Sequence, residues 1–219
     1  MQKILKTGLV STALVAASVG ALVGFNHWLK SDQTSASPTL QVGAPAPNFT
    51  VVDSNGKRHS LTDFKGKTVV LEWTNHDCPF VKKHYETDNM QKLQRSATSQ
   101  GVVWLSVISS APGQQGFVNG AKANELTKSR NASPTAVILD PEGTLGRLYG
   151  ARTTPHMFII APNGTLAYMG AIDDRPSANK DDVVGARNYV AEALNAIRAG
   201  QPVPVATTQP YGCSVKYAR

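Results

Sequence analysis

Cys78 and Cys213 are the only two thiols in the 219-residue chain. A cysteine does chemistry as its thiolate, and a helix N-terminus or a nearby cation favours that form over the thiol. The surroundings of Cys78 have this character. Pro79 follows it, Lys82 and Lys83 stand close by, and Asp77 opposes them. Proline suits the first turn of a helix, where its missing N–H is not needed. Cys78 is therefore expected at or just before a helix N-terminus. The short polar run Thr74 to Asp77 would leave the sulfur accessible, with Thr74, Asn75 and Pro79 beside a substrate. The competing reading is a buried structural cysteine. His76, Cys78 and His156 show no recognised metal-ligand spacing, so no metal is expected. His84, six residues into the expected helix, is read as facing solvent.

The elements that must position Cys78 can be read from the pattern around it. Thr68 to Trp73 is β-branched, Leu and aromatic, as in a buried strand. A helix should follow the cysteine to about Gln100. Gly101 to Ile108 and Thr135 to Leu139 are further apolar strands of the kind covered on both faces. Phe117 to Arg130 and Thr144 to Tyr149 have helix composition. His156 to Ala161 and Leu166 to Gly170 read as a hairpin joined through Asn163-Gly164. Asn48 to Asp53 and Lys57 to Ser60 read as another, turning at Ser54-Asn55-Gly56. Asp181 to Ala199 has an amphipathic helical pattern that stops at Gly200. Strands alternating with helices, then a terminal hairpin and helix, predict an α/β protein: a thioredoxin-like fold, with a central mixed β-sheet flanked by helices on both faces.

The stretch EWTNHDCPFV resembles the active-site turn of thioredoxin-fold redoxins, the alkyl hydroperoxide reductase/thiol-specific antioxidant superfamily. Those proteins often carry Trp, a few residues, then Cys-Pro-x-Cys; here Val81 takes the place of the second cysteine. YGARTTPHMFIIAPNGTLAYMG, Tyr149 to Gly170, is similar to that fold's Thr-Pro, strand and hairpin. The resemblance implies that Pro155, after Thr154, is cis and lies against the active-site cysteine, so that Thr154 and Pro155 shape the site. The terminal GCSVKY also resembles the end of some members. The resemblance covers roughly Val42 to Ala199. It implies a thiol-dependent oxidoreductase acting through Cys78, in antioxidant/peroxidase chemistry or thiol–disulfide exchange. No bound cofactor is implied. Electrons would come from a partner thiol, and the other partner would be a disulfide-bonded protein or a hydroperoxide. The superfamily's peroxidase motif, Pro-x-x-x-Thr/Ser-x-x-Cys, is not met: Leu71 and Asn75 occupy its Pro and Thr/Ser positions. Arg152, just before the Thr-Pro, reads as an anion-orienting group or as an ordinary exposed loop arginine.

Cys213 lies in a Pro- and Thr-rich tail, read as flexible. Three roles stay open for it: a resolving thiol for Cys78, half of a permanent Cys78–Cys213 staple, or a link to another chain. In the staple reading the protein is a non-catalytic binding domain on the same fold.

Hydrophobic content of 41% and charged content of 17% are those of a globular protein. The formal net charge is +7, but Lys and Arg are spread rather than clustered, and no nucleic-acid partner is expected. Lys3 and Lys6 precede an uncharged, mostly apolar run from Gly8 to Phe25, the layout of an export signal or an N-terminal membrane anchor. The expected organisation is this segment over 1–25, a linker over 26–41, a redoxin domain over 42–200 and a tail over 201–219. The domain would be exported, periplasmic or otherwise extracytoplasmic, and would touch the membrane only through the first segment.

Overall fold

The computed structural model describes residues 40–218. The expected export segment and nearly all of the linker lie outside these residues. No helix among the described residues is long and apolar enough to cross a membrane.

The chain opens with β1 (Thr50–Val52) and β2 (Arg58–Ser60), an antiparallel hairpin. Asp53 shapes its turn by accepting the N–H groups of Asn55 and Lys57, each at 2.9 Å. Then come β3 (Val69–Trp73), α1 (Pro79–Glu86), α2 (Asn89–Ser99), β4 (Val103–Ile108), α3 (Gly120–Ser129), β5 (Ala136–Leu139) and α4 (Thr144–Leu148). They are followed by β6 (Thr153–Thr154), β7 (His156–Ile160), β8 (Leu166–Gly170), α5 (Tyr189–Arg198) and β9 (Cys213–Ser214). The main sheet runs β5-β4-β3-β7-β8. β3, β4 and β5 are parallel, and β7 and β8 join antiparallel. This is the mixed sheet the pattern predicts.

Every residue of β3 is buried, because the strand is central and both its faces are covered. Val69, Leu71 and Trp73 pack with Leu145 and Tyr149 on one face. On the other, Val70 lies beneath α1, α2 and α5, which contribute Val81, Met90 and Val190. Each such side chain contributes about 1.5–3 kcal/mol by burial. The strand that delivers the Cys78 loop is thus anchored along its whole length. Glu72 interrupts the apolar run and is also fully buried. Its carboxylate accepts from Tyr85 Oη (2.7 Å), Trp104 Nε1 (2.8 Å), Ser106 Oγ (2.9 Å) and Gln94 Nε2 (3.0 Å).

The structure differs from the sequence pattern in two helices. The helix expected from Cys78 to about Gln100 is two helices, broken at Thr87-Asp88. Asp88 is left-handed (φ 58°), and its carboxylate receives Arg95 Nη2 at 3.0 Å. The helix expected from Asp181 starts only at Tyr189. A short 3-10 turn over Lys180–Val183 precedes it, Gly185 takes φ 73°, and the Asn188 side chain caps the new helix at the N–H of Ala191.

Candidate functional site

Cys78 is the N-cap of α1, with Pro79 in the first turn. Its backbone is extended (φ −69°, ψ 124°), and its carbonyl accepts from Val81 and Lys82. The loop before it is closed by Cys78 N–H donating to Asn75 O at 3.1 Å and by Asp77 N–H donating to Asn75 Oδ1 at 2.9 Å. Asn75 is therefore a buried brace for the cysteine turn. The Thr74 hydroxyl is buried without a hydrogen-bond partner and lines a small cavity with His76 and Arg130.

Thr154 and Pro155 meet Cys78 from the opposite side. The Thr154–Pro155 peptide is cis, and the Cys78 thiol donates to the Thr154 carbonyl oxygen at 3.1 Å. β6 ends at Thr154, and its antiparallel partner is β9, with Thr154 opposite Cys213. The two cysteines, 135 residues apart in sequence, are thus brought into hydrogen-bond reach, and both thiols are free.

The tail that carries Cys213 is packed against the domain, which corrects its reading as flexible. Gly212 (φ 132°) lies so close to Thr154 that a Cβ there would collide with the Thr154 carbonyl oxygen. Tyr211 donates its hydroxyl to Asp173 and lies 3.2 Å from His84 Nε2. Beyond Cys213, Val215 N–H donates to Arg152 O at 3.0 Å, and Tyr217 Oη donates to Ala151 O at 2.7 Å.

His84 is fully buried, contrary to the solvent-facing expectation. The segment after β8 and the C-terminal tail both cross that face of α1. Lys83 is buried there too. It donates to Arg175 O at 2.7 Å and lies 3.5 Å from Asp173 Oδ2, rather than adding its charge to the cysteine turn. Asn89 donates to His84 Nδ1 at 2.8 Å, so Nε2 carries the proton and points it at Tyr211. Sequence reasoning missed this Lys83–His84–Asp173–Tyr211 cluster. Its one local sign is an aromatic residue two places before the tail cysteine. Arg152 has an exposed side chain, and His156 is buried with Nδ1 accepting from Arg152 N at 3.3 Å.

The electrostatics separate the two thiols. Burial pushes the Cys78 thiol up, but hydrogen bonds from the Cys213 thiol, the Thr154 side chain and the N–H groups of Val81 and Cys213 outweigh it. The net result is a pKa below that of an ordinary thiol. Burial, followed by the neighbouring Cys78 sulfur, pushes the Cys213 thiol up to about 12. Of the two thiols, Cys78 is therefore the one that loses its proton first.

The model of the AhpC/TSA family matches residues 42–169, from before β1 into β8. The chain belongs to the AhpC/TSA family. This redoxin is 27% identical to thiol-disulfide oxidoreductase ResA of Geobacillus thermodenitrificans over 146 residues, which span 66% of this chain and 78% of that protein. It is 30% identical to ResA of Bacillus subtilis over 130 residues, 58% of this chain and 66% of the other. The structure of an uncharacterized conserved protein from Geobacillus kaustophilus shares the redoxin's fold, with a TM-score of 0.71 at 23% identity over 83% of this chain and 94% of that one.

Proposed function

We propose that this redoxin is an extracytoplasmic thiol–disulfide oxidoreductase whose Cys78 and Cys213 alternate between dithiol and disulfide. The observation that carries the reading is the pairing of β9 with β6, which sets Cys213 on the Cys78 thiol at the α1 N-terminus, where hydrogen bonds from the Cys213 thiol, Thr154 and the Val81 N–H lower its pKa. A thiolate beside a second thiol is what disulfide exchange needs: one sulfur forms a mixed disulfide with a partner, and the other attacks to release it. The relatives named as thiol-disulfide oxidoreductases support the same chemistry. Thr74, Asn75, Pro79, Thr154 and Pro155 surround the pair in this reading. Asn75, Thr154 and Pro155 fix the geometry, while Thr74 acts from the neighbouring cavity.

Disulfide exchange is favoured over peroxide reduction by what faces Cys78 Sγ. Its partners are the Thr154 carbonyl and the Cys213 thiol. The Thr74 hydroxyl lines a different cavity, and the Arg152 side chain is exposed. A permanent staple is not needed to hold the tail, because Tyr211, Gly212, Val215 and Tyr217 already fasten it to the domain. The partners are a thiol electron donor and a disulfide-bonded protein, with no bound cofactor. Residues 1–25 carry the domain out of the cytoplasm as signal or anchor, and 26–41 link it. Residues 42–200 are the redoxin domain, with the tail over 201–219 as part of its redox machinery.

The test is one equivalent of oxidised glutathione on the reduced full chain, read by intact mass after alkylation. The expected product has lost two hydrogens, carries no adduct and has released two glutathiones. Hydrogen peroxide should give the same product more slowly. Two thiols that stay open to alkylation under both oxidants would overturn the proposal.

A further inference from the structure

We propose that the sulfur which exchanges with outside thiols and disulfides is that of Cys213, and that Cys78 works only within the pair. This rests on the reading of the two cysteines as a redox pair, and it gives entry to the tail cysteine and resolution to the helix cysteine.

The argument is one of access. Cys78 is fully buried, whereas Cys213 is partly exposed. The strand over Cys78 is fastened on both sides of Cys213. Before it, Tyr211 is held by Asp173 and His84, and its ring packs edge-on against Phe80 at 5.9 Å. Gly212 sits against the Thr154 carbonyl. After it, Ala111 N–H donates to Lys216 O at 2.8 Å, and Val215 N–H to Arg152 O at 3.0 Å. An external sulfur can reach Cys78 only by stripping this strand away, and Cys213 needs no such opening.

The chemistry runs the same way. In the oxidised pair, a partner thiolate attacks Cys213 Sγ. The new S–S bond joins partner and Cys213, the Cys78–Cys213 bond breaks, and its electron pair leaves on Cys78 Sγ. The sulfur that leaves is the one at the α1 N-terminus, where the Val81 N–H and the helix dipole stabilise the thiolate formed. A second partner thiolate then attacks the partner's sulfur and releases Cys213, which takes a proton from water. Two partner thiols become one disulfide, and the pair gains two electrons. In the opposite direction Cys213 passes its proton to the Cys78 thiolate beside it and attacks the partner disulfide, releasing one partner thiolate. That thiolate takes the proton back from Cys78, whose thiolate then attacks Cys213 Sγ, closes the internal disulfide and releases the second partner thiolate.

The probe is glutathione. The full chain, oxidised to its internal disulfide, is mixed rapidly with a small excess of glutathione and quenched in acid and denaturant. Free thiols are then capped with N-ethylmaleimide and the peptides mapped by mass. The expected trapped species carries glutathione on Cys213 and maleimide on Cys78, in at least tenfold excess over the reverse. Glutathione on Cys78, or an even split, overturns the assignment while leaving the redox pair intact. A chain that forms no internal disulfide reads differently, as maleimide on both cysteines of the oxidant-treated protein before any glutathione is added. That result brings down the pair and this inference together.

Discussion

Cys78 owes its acidity to groups that a substitution can remove one at a time. The Cys213 thiol is the largest of those lowering its pKa. Cys213→Ala should therefore raise the Cys78 pKa, and Cys213→Ser should raise it less because a hydroxyl still donates. Thiolate absorbance at 240 nm against pH measures both; an unchanged curve in Cys213→Ala would show that the tail contributes nothing. Glu72 makes a second residue-scale case. Glu72→Gln replaces one carboxylate oxygen by an N–H donor, which faces the Tyr85 hydroxyl on one side or the three donors Gln94, Trp104 and Ser106 on the other, and should cost about 1–3 kcal/mol by guanidinium unfolding. The Cys-Pro turn was legible in sequence because proline and cysteine act locally. Glu72 was not, because its partners Tyr85, Gln94, Trp104 and Ser106 are gathered from α1, α2 and β4.

At the scale of elements, the pair depends on how closely β9 approaches β6. Gly212→Ala puts a Cβ into the Thr154 carbonyl and asks alanine to hold φ 132°. It should slow formation of the Cys78–Cys213 disulfide by about tenfold or more, since small displacements of reacting groups cost large factors. The thermal midpoint should move less, because β3 is held mainly by its sheet neighbours and by the helices over it. Stopped quenching with an alkylating reagent reads the rate; a rate equal to the parent's would mean that the tail closes without this contact. The sheet was legible because β3, β4 and β5 are nearly continuous apolar runs and β7 and β8 obey a hairpin signal. The break between α1 and α2 hangs on one left-handed aspartate, and the late start of α5 on Gly185 and the Asn188 cap. Neither interrupts the apolar spacing that the pattern follows. The tail looked unstructured because its contacts are single residues set against distant loops.

At the scale of the whole molecule, two buried histidines tie stability to pH. Burial, against a smaller opposing pull from Asp173, holds His84 down at about 4, with Lys83 and Tyr211 also facing it. Burial, with the Arg152 charge, holds His156 down at about 3. Both stay neutral in the folded chain, while the unfolded chain takes up their protons below about 6.5. Stability is therefore full above that value and falls as pH drops toward 4 and 3, by up to about 1.4 kcal/mol per unit for each histidine. Guanidinium midpoints at pH 7 and 5 should differ accordingly, and His156→Gln should remove about half of the slope. A parent protein equally stable at both values would contradict the neutral burial of these rings.

The most direct test of the account is the redox equilibrium of the pair. The full chain is held in glutathione buffers of graded ratio, quenched, alkylated and weighed. The account predicts one reversible two-electron transition between a doubly alkylated dithiol and an unalkylated Cys78–Cys213 disulfide, lost in Cys78→Ser and in Cys213→Ser. A disulfide that native protein keeps at every ratio, or two thiols that never join, would contradict it.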